Sequence, residues 1–258
     1  MANNLLGHPA VAGIVVNARD VTERRRLQES LRRSQTMATM GLLVAGVAHE
    51  VRNPLFSISA NLDAFESSLA HTPGLEPVLT IMRQEVDRLA TLMTELLDYG
   101  KPAPWVRVPE DPAAMVAEAV QHCARLAHRR EVKVVNTVAA GLPLVPMDRE
   151  RLVQVFQNLL QNAVQHAPPG SEVAVEGESR DGWVVLAVQD SGPGFNPEDL
   201  PRVFEPFFSR RRGGTGLGLA IVQRIVEEHG GTVAAGNRPA GGAALTVRLP
   251  CTVSPLAG

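Results

Sequence analysis

Four groups of residues in this chain have types and spacings suited to chemistry. The first is Ala48-His49-Glu50-Val51-Arg52-Asn53-Pro54-Leu55. Here a carboxylate directly follows a histidine, an amide lies one helical turn further on, and a proline closes the run. His49 reads as a nucleophile. The second group is Asn158 and Asn162, four residues apart and so on one face of a helix. Aligned amides suit an octahedral Mg²⁺ that keeps several waters and bridges substrate phosphates. The third is Asp190, which alternates with Val184, Leu186 and Val188 and so shares their face of a strand. A carboxylate on a buried face needs a donor partner. The turn Ser191-Gly192-Pro193-Gly194 after it lets backbone approach a ligand closely. The fourth group is Gly213-Gly214-Thr215-Gly216-Leu217-Gly218-Leu219, a glycine-rich turn opening a helix. Free N–H groups and the positive end of the helix dipole favour phosphate there. The turn has neither the Lys-Ser/Thr of a Walker loop nor the Rossmann spacing. Arg210, Arg211 and Arg212 just before it could offset triphosphate charge, or form a solvated cluster. Each group alone has an ordinary counterpart: a surface histidine, surface asparagines, a strand-ending aspartate.

The elements that must position these residues fall into two kinds. From Thr22, a plausible N-cap, the positions Leu27, Leu31, Ser34, Ala38, Gly41, Ala45 and Ala48 keep a 4-3-4-3 spacing. That is the seam of a coiled coil, and it places His49 beside the packed interface. The pattern resumes after Pro54 at Leu55, Ile58, Leu62 and Phe65, then breaks at His71-Thr72-Pro73-Gly74. A second amphipathic helix carries Leu79, Met82, Val86, Leu89, Leu92, Met93, Leu96 and Leu97. Two helices joined by a short turn make an antiparallel hairpin, and two hairpins make a four-helix bundle, so a homodimer is expected. Residues 101–109, with Lys101-Pro102-Ala103-Pro104-Trp105, read as a linker. Beyond it, over 110–252, the pattern turns to mixed α/β, with a short tail at 253–258. Helices are expected near Pro112–Arg129, Asp148–His166 and Gly218–His229. Strands are expected near Glu131–Val138, Glu172–Glu176 and Trp183–Asp190, with two more closing the chain. The mixture predicts an α+β sandwich, helices covering one face of a largely antiparallel sheet.

Composition narrows the rest. At 258 residues two domains are the natural expectation, and a net charge of −2 gives no reason to invoke nucleic acid or an anionic membrane. Cys123 and Cys251 are in no metal or redox spacing and are expected to stay reduced. No apolar run approaches the roughly 20 residues needed to cross a bilayer, and Met-Ala-Asn-Asn-Leu-Leu-Gly-His lacks the basic and apolar regions of a signal peptide. A cytoplasmic chain without membrane contact is expected. Gly13–Asp20 reads as a strand with no visible hairpin partner.

In order, the four groups resemble the sensor histidine kinase family of two-component systems. The resemblance runs from about residue 21 to residue 250. Its H box is His49-Glu50-Val51-Arg52-Asn53-Pro54-Leu55, and its N box is Asn158-Leu159-Leu160-Gln161-Asn162-Ala163. Its first glycine box is Asp190-Ser191-Gly192-Pro193-Gly194, and its F box is Phe204-Glu205-Pro206-Phe207-Phe208-Ser209. The second glycine box is Gly214-Thr215-Gly216-Leu217-Gly218-Leu219, and the short lid before it is similar to that of nitrogen-regulation kinases. The resemblance implies a dimeric all-α hairpin of about residues 21–100 followed by a Bergerat-type ATP-binding domain. It implies that His49 accepts the γ-phosphoryl group of ATP and that Glu50 orients and deprotonates the ring. Asn162 would hold Mg²⁺, Asn158 would lie against the phosphates, and Asp190 would accept from the adenine amino group. Gly192, Gly194, Gly214, Gly216 and Gly218 would shape the pocket and lid, with Phe208, Thr215 and Leu217 beside them. The implied partner is the receiver domain of a response regulator. Asn4-Leu5-Leu6 through Arg24 resembles the end of a PAS domain, which implies a sensor upstream and makes residues 1–20 its remnant.

Two positions depart from the family pattern. Gln165, with His166 beside it, stands where a basic residue often helps to bind phosphate. Arg211 replaces the lid lysine, keeping its charge without its compact donor. Asn53, four residues after His49, implies a second activity as phosphatase toward the phosphorylated partner. The His49-Glu50 pair does not make a zinc-protease motif, since Asn53 occupies the place of the second histidine. Two alternatives remain: a catalytically weak scaffold of the same fold, or another Bergerat-type ATPase.

Overall fold

The computed structural model describes residues 2–5, 13–16, 51, 54–65, 75–100, 107–211 and 214–251. Strands β1 (Ala2–Leu5) and β2 (Gly13–Val16) pair antiparallel, with Asn3 opposite Val15 and Asn4 opposite Ile14. The strand expected at Gly13 therefore has the hairpin partner that the sequence reading did not find. The partner, Ala-Asn-Asn-Leu, is rich in asparagine, which strands disfavour, so its pairing leaves no propensity signal.

Helix α1 (residues 54–65) and helix α2 (Glu76–Gly100) lie side by side. Arg83 of α2 reaches Ser59 at 3.5 Å and Asp63 of α1. Pro77 sits in the first turn of α2, where its missing N–H costs nothing. Leu55, Leu62 and Val86 are buried between the helices, whereas Phe56 (76% exposed), Phe65 (57%) and Ile81 (59%) face outward. The apolar stripe is thus wider than one hairpin can cover. The coiled-coil seam at 27–48 and the linker at 101–106 lie outside the described residues.

The remainder is the expected sandwich. Strands β4 (Lys133–Asn136), β6 (Glu172–Arg180), β7 (Trp183–Gln189), β9 (Ala243–Pro250) and β8 (Thr232–Asn237) lie side by side in that order. Only β4 with β6 is parallel. A parallel pair needs a crossover, and helix α4 (Arg149–His166) supplies it. Alternation decides which face is covered. Val184, Leu186 and Val188 of β7 and Leu245, Val247 and Leu249 of β9 are buried, and they join one core with helices α3 (Pro112–Arg129), α4 and α5 (Gly218–Glu228). Phe156, Leu159 and Leu160 of α4 are fully buried at its centre. Each such side chain contributes about 1.5–3 kcal/mol through removal from water.

Local signals set the helix starts. Asp111 accepts from the Ala113 N–H at 2.9 Å and Asp148 from the Arg151 N–H at 3.3 Å, each serving as an N-cap. A second pairing was not expected. Strand β3 (Val108–Glu110), at the end of the stretch read as linker, pairs antiparallel with β5 (Val145–Met147). At three residues with a proline in each, neither strand carries a readable period.

Candidate functional site

A cavity of about 800 Å³ opens between α4, the end of β7, the segment 193–216 and the start of α5. One pole is built around Asp190. The residue continues the buried face of β7 and is 5% exposed. Its N–H donates to the Ala243 carbonyl at 3.0 Å, which ties it to β9. The Ala243 N–H donates to Asp190 Oδ1 at 3.1 Å, and the Gly192 N–H donates to the same oxygen at 2.8 Å. The donor partner that burial demands is therefore backbone. It occupies one oxygen twice and leaves Oδ2 as the acceptor for a ligand in the cavity.

A second wall is α4. Its helical period brings Asn158, Asn162, Gln165 and His166 to the cavity while Leu159, Leu160 and Ala163 turn into the core. The Asn158 amide donates to the Gly218 carbonyl at 3.4 Å, spanning α4 and α5. His166 Nδ1 donates to the Asn162 carbonyl at 2.8 Å, which fixes the ring at the end of the helix.

The third wall runs from the F box into α5. Phe207 has φ +65° and its N–H donates to the Gly216 carbonyl at 2.9 Å. Gly216 has φ +70°, and a Cβ there would stand 2.5 Å from the Phe207 carbonyl carbon. Only glycine satisfies both the left-handed backbone and the close approach. The lid arginines have separate tasks. Arg210 donates to both oxygens of Asp199, whereas Arg211 donates to Gln165 Oε1 across the cavity mouth. At the N-cap of α5, Leu217 gives no side-chain bond, so the helix end is left to satisfy its N–H groups elsewhere.

Most of the residues read from the sequence meet here. Asn158, Asn162, Gln165, His166, Asp190, Gly194, Phe208, Arg211, Gly214, Thr215, Gly216 and Gly218 all line the cavity. Two do not. Leu217 is fully buried, its side chain in the core and its N–H bonded to Thr215 Oγ1 at 3.3 Å. Gly192 stands behind the wall, where a Cβ would meet the His166 carbonyl oxygen at 2.7 Å. Both support the site rather than face it. Arg210 lines the cavity but is paired with Asp199, which lines it too, and Arg212 lies outside the described residues. So do His49, Glu50 and Asn53. The sequence reading missed Asp199, whose role depends on Arg210, and Thr91 and Glu95, which α2 brings to the cavity wall. None of the three carries a local signal, since what brings each to the cavity is the packing of its element.

Fold and cavity together define a helical hairpin followed by an ATPase-type sandwich. The family "Histidine kinase-, DNA gyrase B-, and HSP90-like ATPase" matches residues 147–253, and the family "His Kinase A (phospho-acceptor) domain" matches residues 39–104. Sensor histidine kinase ZraS of Klebsiella oxytoca is 39% identical over 231 residues, covering 88% of this chain and 49% of its own length. The mycobacterial sensor histidine kinase MprB is 34% identical, with a TM-score of 0.52 over 57% of this chain and 98% of that one. Histidine kinase ThkA, solved in complex with response regulator protein TrrA, is 27% identical with a TM-score of 0.65 over 93% of this chain and 70% of that one. This chain belongs to the sensor histidine kinases. It spans about half the length of the curated relative it matches.

Proposed function

We propose that this chain is an ATP-dependent protein histidine kinase that phosphorylates itself on His49 and passes the phosphoryl group to an aspartate of a response-regulator receiver domain. The observation that carries the reading is the state of Asp190. One carboxylate oxygen is saturated by backbone and the other is left to a ligand, which suits the exocyclic amino group of adenine. The amides of α4 and the uncapped start of α5 line the same cavity, and both suit a polyphosphate. In this reading Glu50 orients the His49 ring and takes its proton, and Arg211 exchanges its amide partner for a phosphate oxygen. Transfer is then a matter of positioning and charge neutralisation.

The donor set fits Mg²⁺. Among the described residues no group of three or more His, Cys, Asp or Glu side chains could hold a metal ion. Asn162, which lines the cavity, would hold the cation through its amide oxygen together with nucleotide phosphates. Such an ion supplies charge neutralisation at the β- and γ-phosphates.

The same reading makes 21–100 the phosphotransfer hairpin and 110–252 the ATP-binding domain. The outward apolar residues of α1 and α2 would be covered by a second copy of the hairpin. A receiver domain and an upstream sensor complete the set of partners. Among the described residues no helix is long and apolar enough to cross a membrane. Asn53 would serve dephosphorylation of the partner.

The test is incubation with γ-labelled ATP and Mg²⁺. Acid-labile, base-stable label is expected on the chain and absent from His49→Gln. Label that survives His49→Gln, or no label on the unaltered chain, would sink the reading. Asn53→Ala is expected to keep self-phosphorylation and lose dephosphorylation of the partner.

A further inference from the structure

Outside the boxes, the hairpin that joins β8 to β9 grips the turn carrying Asp190. Asn237, the last residue of β8, accepts the Phe195 N–H on Oδ1 at 2.7 Å and donates from Nδ2 to the Phe195 carbonyl at 2.7 Å. The side-chain amide thus copies a backbone bridge, satisfying both polar groups of a residue 42 positions away. Gly194 packs on the same amide. It has φ +76°, and a Cβ there would stand 2.7 Å from Asn237 Oδ1 and 3.2 Å from the Gly242 carbonyl. The next residue holds the other end of the turn, since Arg238 Nη1 donates to the Asp190 carbonyl at 2.9 Å. The hairpin is itself closed, the Arg238 N–H donating to Gly242 at 2.9 Å and the Gly241 N–H to Arg238 at 3.0 Å. Pro193, Gly194, Phe195 and Asn196 all line the cavity, whereas Asn237 and Arg238 do not.

We propose that Asn237 is a positioning residue for base selection, holding the 192–195 turn so that the ligand-facing oxygen of Asp190 meets an amino group on the purine. Asn237 does not line the cavity and acts through Phe195 and Gly194. The amide is required because only Asn, among side chains of this length, both donates and accepts in one plane. Aspartate keeps the acceptor, loses the donor and sets a charge against the Phe195 carbonyl. Alanine loses both. Because Asn237 is solvent-exposed, its removal leaves the core intact. The inference rests on the reading of Asp190 as the adenine acceptor.

The experiment measures dissociation constants of the full chain for ATP and for inosine triphosphate, which lacks the 6-amino group, together with KM and kcat for self-phosphorylation. Unaltered protein is expected to prefer ATP. Asn237→Ala is expected to raise the ATP dissociation constant by about tenfold and the inosine value by under about threefold, the loss of one oriented hydrogen bond. Asn237→Asp should fall between the two. The effect should appear in KM rather than kcat, with the melting temperature nearly unchanged. Equal weakening toward both nucleotides in Asn237→Ala and Asn237→Asp would overturn the positioning role and leave Asn237 a general stabiliser of the turn. Asp190→Asn separates this from its premise. If that variant keeps the ATP preference of the unaltered protein, the adenine reading itself fails and the inference falls with it.

Discussion

Arg210 holds Asp199 through two parallel hydrogen bonds, Nε to Oδ2 at 3.0 Å and Nη2 to Oδ1 at 2.9 Å. The partners are unequally placed: Asp199 is nearly buried below the 3₁₀ turn Leu200–Arg202, while the Arg210 side chain is 72% exposed. Removing the exposed cation strands a buried carboxylate, whereas neutralising the carboxylate only releases an arginine to water. Arg210→Ala is therefore expected to destabilise the lid more than Asp199→Asn. Limited proteolysis of the lid and thermal melts of the two variants check the order. The reverse order would show that the pair is not what anchors the lid.

His229 imposes a pH dependence on stability. It is buried, its Nδ1–H donates to the Ile225 carbonyl at 2.7 Å, and its Nε2 accepts the N–H of Asp148, the N-cap of α4, at 3.0 Å. Only the neutral ring can make both bonds. Burial pushes its pKa below the ordinary 6.5; Arg107 and Arg151 push the same way, against the Ile225 hydrogen bond and Asp148. Below the unfolded value the unfolded chain binds the extra proton, so His229's contribution is complete above about pH 6.5 and declines as pH falls through that value. Melting temperatures recorded from about pH 7.5 to about 5.5 should fall more steeply for the unaltered chain than for His229→Gln. Parallel curves would remove His229 from the account.

Gly216 and Gly218 are two residues apart and should fail differently. At Gly216 a side chain meets the Phe207–Phe208 backbone and the φ is positive, whereas a Cβ at Gly218 meets nothing within 4 Å. Gly216→Ala should cost about 1–2 kcal/mol from backbone conformation alone, with the clash added, and abolish nucleotide binding through the lid. Gly218→Ala should fold as the unaltered chain does. It should lose affinity only because Gly218 faces the cavity. Calorimetric titration with ATP and a melt of each variant separates the two causes.

Metal removal gives a fourth check. With chelator present, binding of ATP should weaken but persist, because on the proposed reading Asp190 and the 191–194 turn contact the base and not the phosphates. Asn162→Ala should shift the Mg²⁺ concentration for half-maximal self-phosphorylation upward by several-fold. No change in that concentration would place the ion on other residues.

What could be read from the chain itself was whatever repeats along it or acts over a few residues. The 3.6-residue period and N-cap of α4, the alternation of β7 and β9, and the left-handed glycines are local, so their order also placed Asn158, Asn162 and Asp190 around one site. The tertiary structure decided everything that depends on a neighbour distant in sequence. It set Leu217 and Gly192 behind the cavity wall, gave Arg210 to Asp199, and brought Asn237 to Phe195. It paired Ala2–Leu5 with Gly13–Val16 and Val108–Glu110 with Val145–Met147, where neither segment announces its partner. A hydrogen bond between segments forms when packing brings a donor to an acceptor. Before the sheet is assembled, nothing in the residue itself says which acceptor that will be.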